Sequence, residues 1–246
     1  MQISDDIFLG PAVAGGPFAS DGPSPMTVGV GPLGRVYVYD IAPAALAANN
    51  IATSQNPGSG ASFTITAGAG VTAITLPNGT AAYQLDVPRA VRIVAAGANT
   101  ATYTVSGYDV YGQAMTQTLA APSTSTVTTT KAFKTIVSIT NANATAGLNN
   151  LTVGTTDVFG LPVRVTDVAY ILSVKWDATL ASNAGTFTAA VQTSPATATT
   201  GDVRGTYLQT GAASDGTRRL IVAFAVPALG SGPNATRIGA YGVTQA

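Results

Sequence analysis

From Phe63 onward the chain sets bulky apolar side chains at every second position. Phe63 and Ile65 share one face, as do Tyr83, Leu85 and Val87. Phe133, Thr135, Val137 and Ile139 alternate with Lys134, Ile136, Ser138 and Thr140. The longest run places Val168, Tyr170, Leu172, Val174 and Trp176 opposite Ile171, Ser173 and Lys175. Leu220, Val222, Phe224 and Val226 likewise oppose Ile221, Ala223 and Ala225. Successive strand side chains point to opposite faces, so these runs predict half-buried strands with the bulky face, Trp176 included, turned to a core. The β-branched run Ser123 to Thr130 suits the same pleated surface. Gly, Asn, Asp and Pro punctuate the runs at Pro77-Asn78-Gly79, Gly107–Gly112, Asn141–Asn150 and Gly154–Gly160. Such spacing predicts an all-β, antiparallel sandwich or jelly roll rather than βαβ units. Tyr108 to Gly112 is the expected tip of a hairpin between strands 102–108 and 113–119.

Before Phe63 the pattern differs. Residues 1–34 are broken by Gly10-Pro11, Gly15-Gly16-Pro17, Gly22-Pro23, Pro25 and Gly31-Pro32. Proline removes backbone donors and glycine costs entropy, so neither a long helix nor a central strand fits. Ile7, Phe8, Leu9 and Phe18 are too apolar for a solvated linker, which predicts an extended arm lying on its own core or on a neighbouring subunit. Arg35 to Asp40 alternates and reads as a first strand. Asp40, the early Pro43 and the alanine run to Asn50 then predict a helix of about two turns, followed by a loop over 53–62. The expected organisation is an arm, strand and helix over 1–60 and a β-sandwich over 61–160. Residues 161–246 form a second β domain or a continuation of the first, with Gly160-Leu-Pro162 as the break.

Composition sharpens the picture. The chain holds only 22 charged side chains, 11 basic and 11 acidic, and no Cys, His or Glu. They make up 9% of the residues, against about 25% in an ordinary soluble domain. Thr, Ser, Asn, Gly and Ala stand in their place. A free monomer with so few charges and a net charge of zero has weak colloidal protection, so subunits that cover much of the surface are expected. The balanced charge argues against nucleic acid, which selects clustered Lys and Arg. No apolar stretch of membrane-spanning length occurs, and Met1 to Asp6 lacks the basic start of a secretion signal.

Candidate chemistry is sparse. Without His, a Ser-His-Asp or Cys-His site cannot form, and no Ser-x-x-Lys motif replaces it. Asp215-Gly216-Thr217 has the wrong order for an aspartic protease and reads as a turn. Asp5-Asp6 sit in the arm with no partner carboxylate that would suggest a glycosidase. No acidic cluster has the spacing of a calcium loop. Gly29-Val-Gly31-Pro-Leu-Gly34 matches a dinucleotide-binding pattern, but a strand follows it where a helix must open. No enzyme activity, cofactor or metal is expected. The Asn-x-Ser/Thr triplets at Asn78, Asn143, Asn150 and Asn234 follow from an Asn- and Thr-rich composition. Tyr37 and Tyr39 alternate with Val36 and Val38, so one pair faces inward and one outward, and an outward tyrosine pair suits an interface.

Several stretches together carry a resemblance. They are Leu85-Asp-Val-Pro-Arg-Ala-Val-Arg-Ile93, Val105-Ser-Gly-Tyr-Asp-Val-Tyr-Gly-Gln113, Thr130-Lys-Ala-Phe-Lys-Thr-Ile136, Thr155-Thr-Asp-Val-Phe-Gly-Leu-Pro162 and Thr200-Gly-Asp-Val-Arg-Gly-Thr-Tyr207. Over roughly residues 35–226 the chain resembles virion structural proteins of tailed bacteriophages, including capsid decoration (cement) proteins. The resemblance implies a β-sandwich located in the virion, assembled in the host cytoplasm. Its implied partners are the major capsid protein or other virion proteins, together with self-association, for which the resemblance suggests a trimer. A tail, collar or fibre component is the alternative, and a carbohydrate binder a more distant one. The motifs are turns and strands, so no functional residue carries over. The residues expected at an interface are Ile7, Phe8, Phe18, Tyr37 and Tyr39, with Arg89 and Arg92, which follow Pro88 and have Asp86 or a partner's carboxylates within reach.

Overall fold

A computed structural model describes residues 2–7, 34–97, 100–120, 126–142, 150–177, 179–180, 185–191 and 201–226. It holds the all-β antiparallel sandwich that the hydrophobic pattern predicts. The first sheet has five strands: β1 (Gln2–Ile7), β2 (Gly34–Ile41), β15 (Leu220–Val226), β11 (Ile171–Trp176) and β12 (Thr179–Leu180), in that spatial order. The second, ten-stranded sheet runs β13 (Thr186–Thr188), β14 (Thr206–Leu208), β10 (Leu151–Gly160), β5 (Ala81–Val94), β9 (Phe133–Asn141), β6 (Tyr103–Tyr108) and β7 (Ala114–Leu119). Three short strands branch from it: β3 (Ala52–Gln55) on β10, and β4 (Val71–Thr75) and β8 (Thr126–Thr128) on β5.

The long strand β5 organises the second sheet. Its first half pairs with β4 and β9, and its second half with β10 and β8. The strands around it enclose a first core of Ile51, Phe63, Leu85, Val91, Ile93, Tyr103, Val105, Phe133, Ile136, Ile139, Leu151 and Val153. A second core fills the space between the five-stranded sheet and the far end of β10. It contains Tyr39, Leu220, Val222, Phe224, Val174 and Trp176 from one side, and Phe159, Tyr207, Val87, Leu161, Val163 and Val165 from the other. The two cores define two lobes, joined through β5 and β10.

The expected hairpin is present. β6 and β7 pair from Tyr103↔Leu119 to Tyr108↔Ala114. Asp109 closes the tip, its Oδ1 accepting the Tyr111 and Gln113 N–H groups at 2.8 and 2.9 Å. That arrangement is an Asx turn, in which a side chain imitates a backbone acceptor.

Four expectations fail for identifiable reasons. Residues 42–47 have no regular structure, so the predicted helix is missing. Their backbone groups bond to distant partners instead. The Ala44 N–H donates to Asp86 Oδ2 (2.6 Å), the Leu46 N–H to the Ser214 carbonyl (3.0 Å), and the Ala47 carbonyl accepts the Thr155 N–H. A helix would withdraw these groups from Asp86, Ser214 and Thr155. The loop expected over 53–62 begins as β3, bonded to β10. Val168–Tyr170 is a single 3-10 turn capped by Asp167, so the alternation predicted from Val168 starts only within β11. Val174 and Trp176 are buried there, but Leu172 is 54% exposed and Val168 63%. In β9 the phase slips, because β6 pairs Ser106↔Ser138 and then Gly107↔Ile136, leaving Val137 as a bulge. An extra residue reverses the faces beyond it, so Ile136 is buried and Val137 is not.

Candidate interaction surface

The placement of charge is the most informative property of the folded chain. Among the described residues, seven charged side chains are buried: Arg89, Asp109, Lys131, Asp157, Arg164, Asp202 and Arg204. Burying a charge is costly unless it is paired and hydrogen-bonded, and the structure supplies partners. Arg89, 0% exposed, sits where the two lobes meet. Its Nε donates to the Thr156 carbonyl and its Nη1 to the Ala44 carbonyl, both at 2.9 Å. Its Nη2 donates to Asp157 Oδ1 and Ser214 Oγ, both at 2.8 Å. The guanidinium also lies 5.4 Å from the Phe159 ring centre. Asp157 is further held by the Ser214 hydroxyl and N–H and by Gln209 Nε2.

A second pair joins the hairpin tip to the 201–205 loop. Arg204 Nη1 meets Asp109 Oδ2 at 2.6 Å, and its guanidinium stacks 4.8 Å from the Tyr111 ring centre. Asp202 caps the same loop, accepting the Arg204 N–H on Oδ1 and the Ala132 N–H on Oδ2. Burial lowers the affinity of Lys131 and Lys134 for a proton. Lys131 Nζ is nevertheless anchored on the Thr116 carbonyl, and Lys134 Nζ on the Leu85 and Asp86 carbonyls.

These internal commitments leave one lobe without a fully exposed charged side chain. Residues 51–156 contain six charged side chains, Asp86, Arg89, Arg92, Asp109, Lys131 and Lys134. Every one of them is buried or half-buried. The exposed positions of β4, β7 and β8 are Thr72, Ala73, Thr75, Ala114, Thr116, Thr118, Thr126 and Thr128. By contrast Asp40, Asp167, Lys175, Asp177, Asp215 and Arg219 are exposed, and all six belong to the five-stranded sheet or its connections. There Arg219 chelates Asp40 at 3.0 and 2.6 Å, and Arg218 meets Asp215 at 2.6 Å. One lobe therefore presents ions to its surroundings and the other presents hydroxyls and methyl groups.

Of the residues expected at an interface, Tyr37, Tyr39, Arg89 and Arg92 have described side chains. Arg89 is a buried strut of its own chain. Tyr37 and Tyr39 both turn inward to the second core, Tyr37 stacking on Phe224 at 6.2 Å between ring centres. The tyrosine pair is thus a core pair, and burial raises the Tyr39 hydroxyl above its ordinary proton affinity. Arg92 is half-buried, and desolvation lowers its proton affinity. Ile7 lies in β1, opposite Gly34, while Phe8 and Phe18 lie outside the described residues. Sequence reasoning missed the uncharged lobe itself, although the signal was present: no charged residue separates Asp40 from Asp86.

Among the described residues no group of three or more acidic side chains is placed to hold a metal ion. Among the described residues no helix is long and apolar enough to cross a membrane. No known protein family matches the chain, and neither a curated protein nor a solved structure matches it.

Proposed function

We propose that the chain is a structural subunit of a tailed-bacteriophage virion, a capsid decoration protein that seats its uncharged lobe on major capsid subunits and leaves its charged lobe in solvent. The observation that carries this reading is the segregation of charge. Interface centres are depleted of charged residues relative to open surface. Covering a threonine hydroxyl costs far less than desolvating an ion, so the first lobe can be buried against protein at little electrostatic expense. At about 25 cal/mol per Å² of apolar area, covering several hundred Å² contributes on the order of 10 kcal/mol before association entropy is subtracted. Repetition over a lattice adds avidity to each contact. The resemblance of residues 35–226 to virion structural proteins points the same way.

Quantitative mass spectrometry of purified particles tests the proposal. A decoration protein is expected in hundreds of copies per particle. A count of roughly a dozen or fewer assigns the chain to a tail, collar or fibre, where closed rings of few subunits are the rule. Absence from washed particles overturns the virion reading altogether.

A further inference from the structure

Among the described residues β4 is an edge strand, paired on one side only. It pairs with β5 through Val71↔Leu85, Thr72↔Gln84, Ala73↔Tyr83, Ile74↔Ala82 and Thr75↔Ala81, with no register shift. No strand among the described residues pairs with its other edge. Natural sheets block such an edge with Lys, Pro, a bulge or a covering loop. β4 reads Val-Thr-Ala-Ile-Thr, carries none of the first three, and exposes Thr72, Ala73 and Thr75.

The ladder shows which backbone groups are open. The Asp86 N–H donates to the Gly70 carbonyl and the Leu76 N–H to the Thr80 carbonyl, each at 2.9 Å. In an antiparallel pair the bonded positions recur at every second residue. Even-numbered residues of β4 therefore bond to β5, and Val71, Ala73 and Thr75 turn their N–H and C=O groups outward. The Val71 N–H is taken by the Gly68 carbonyl. What remains is self-complementary about Ala73. An antiparallel second copy sets Ala73 against Ala73, each donating to the other's carbonyl. It also sets each Thr75 N–H against the other copy's Val71 carbonyl. The charge-free stretch between Asp40 and Asp86 means that no ionic repulsion opposes this approach.

We propose that β4 is a self-pairing edge through which two copies of this chain join their ten-stranded sheets across a twofold axis. The inference deepens the assembly reading above by naming one of its contacts and the partner at that contact, and it rests on that reading.

The chain has no cysteine, so a single introduced thiol reports the pairing cleanly. Directly opposed hydrogen-bonded residues have Cα atoms about 5.5 Å apart, within disulfide range. Ala73→Cys is expected to form a covalent dimer under mild oxidation, and Asn78→Cys, at the β4–β5 turn, is not. By sedimentation equilibrium the unmodified chain should rise with concentration from 24.5 kDa toward twice that mass. Ala73→Pro removes an N–H that points away from β5, and Ala73→Lys places a charge on the edge. Both should abolish the rise while leaving the circular dichroism spectrum unchanged. A chain that stays at monomer mass, equal cross-linking at positions 73 and 78, or variants that associate like the unmodified protein overturn the proposal. A chain abundant in particles yet monomeric in solution refutes the edge pairing alone, whereas a dimer absent from particles refutes only the virion reading.

Discussion

Replacing Arg89 by Met removes the cation at the junction of the lobes while nearly conserving volume. The side chain is fully buried and donates four hydrogen bonds, to Thr156, Ala44, Asp157 and Ser214. The variant leaves Asp157 buried without its counter-charge and leaves the Ala44 and Thr156 carbonyls short of a donor. Breaking a buried ion pair on one side costs about 3–5 kcal/mol. Asp157 keeps the Ser214 hydroxyl, the Ser214 N–H and Gln209 Nε2 as donors, which places the loss near the lower bound, about 3 kcal/mol. For a chain of this length each kcal/mol lowers the melting temperature by roughly 2–4 °C, so Arg89→Met should melt about 6–12 °C lower in a calorimetric scan. The double variant Arg89→Met/Asp157→Leu removes the orphaned charge as well and should recover part of the loss. A fall of under about 1 kcal/mol for the single variant, or a double variant less stable than the single by the full cost of a second buried group, refutes the view that Arg89 and Asp157 act as one unit.

Gly154→Ala should destabilise by about 1–3 kcal/mol in urea unfolding, because a Cβ at 154 collides with the backbone of Ala47 and Ala48, which cannot retreat without losing its bonds to β10. Trp176→Phe loses the hydrogen bond from Nε1 to the Ala212 carbonyl (3.0 Å) and should cost about 1 kcal/mol beyond the change in packing, with the 209–214 segment exchanging its amides faster. The Asp215 carboxyl is held down to about 2 from 3.8, first by the Arg218 N–H and then by the Thr217 N–H and hydroxyl. A depressed carboxyl stabilises the fold fully above its unfolded pKa and loses that contribution as pH falls through the folded value. A carboxyl NMR titration should therefore find its midpoint near 2, with the 215–218 turn opening between pH 4 and pH 2; a midpoint near 3.8 contradicts the hydrogen-bonding account.

What the sequence disclosed follows from what a short window can carry. Alternation at Leu220, Val222 and Phe224 is local, and those residues are buried as predicted. Asp109 was legible as a turn residue because the bonds that close the turn, from the Tyr111 and Gln113 N–H groups, lie within four residues. The segment 41–50 misleads because helix signals are local, while its hydrogen-bond partners Asp86, Thr155 and Ser214 are distant in the chain. Val137 breaks phase through a bulge that depends on its partner β6, which no single window contains. Arg89 and Arg92 share one stretch of β5, and only the fold separates a fully buried strut from a half-buried side chain. The uncharged lobe was visible as a gap in the charge pattern. Its meaning required knowing that Arg89, Asp109 and Lys131 had also been withdrawn into the interior.

Hydroxyl-radical footprinting of the free chain and of the assembled particle measures the central claim most directly, because it reads side-chain coverage lobe by lobe. The account predicts strong protection of residues in β4, β7 and β8 on assembly, with Leu172 and Lys175 staying as reactive as in the free protein. Equal reactivity of β4, β7 and β8 in both states, or protection confined to the charged lobe, contradicts it.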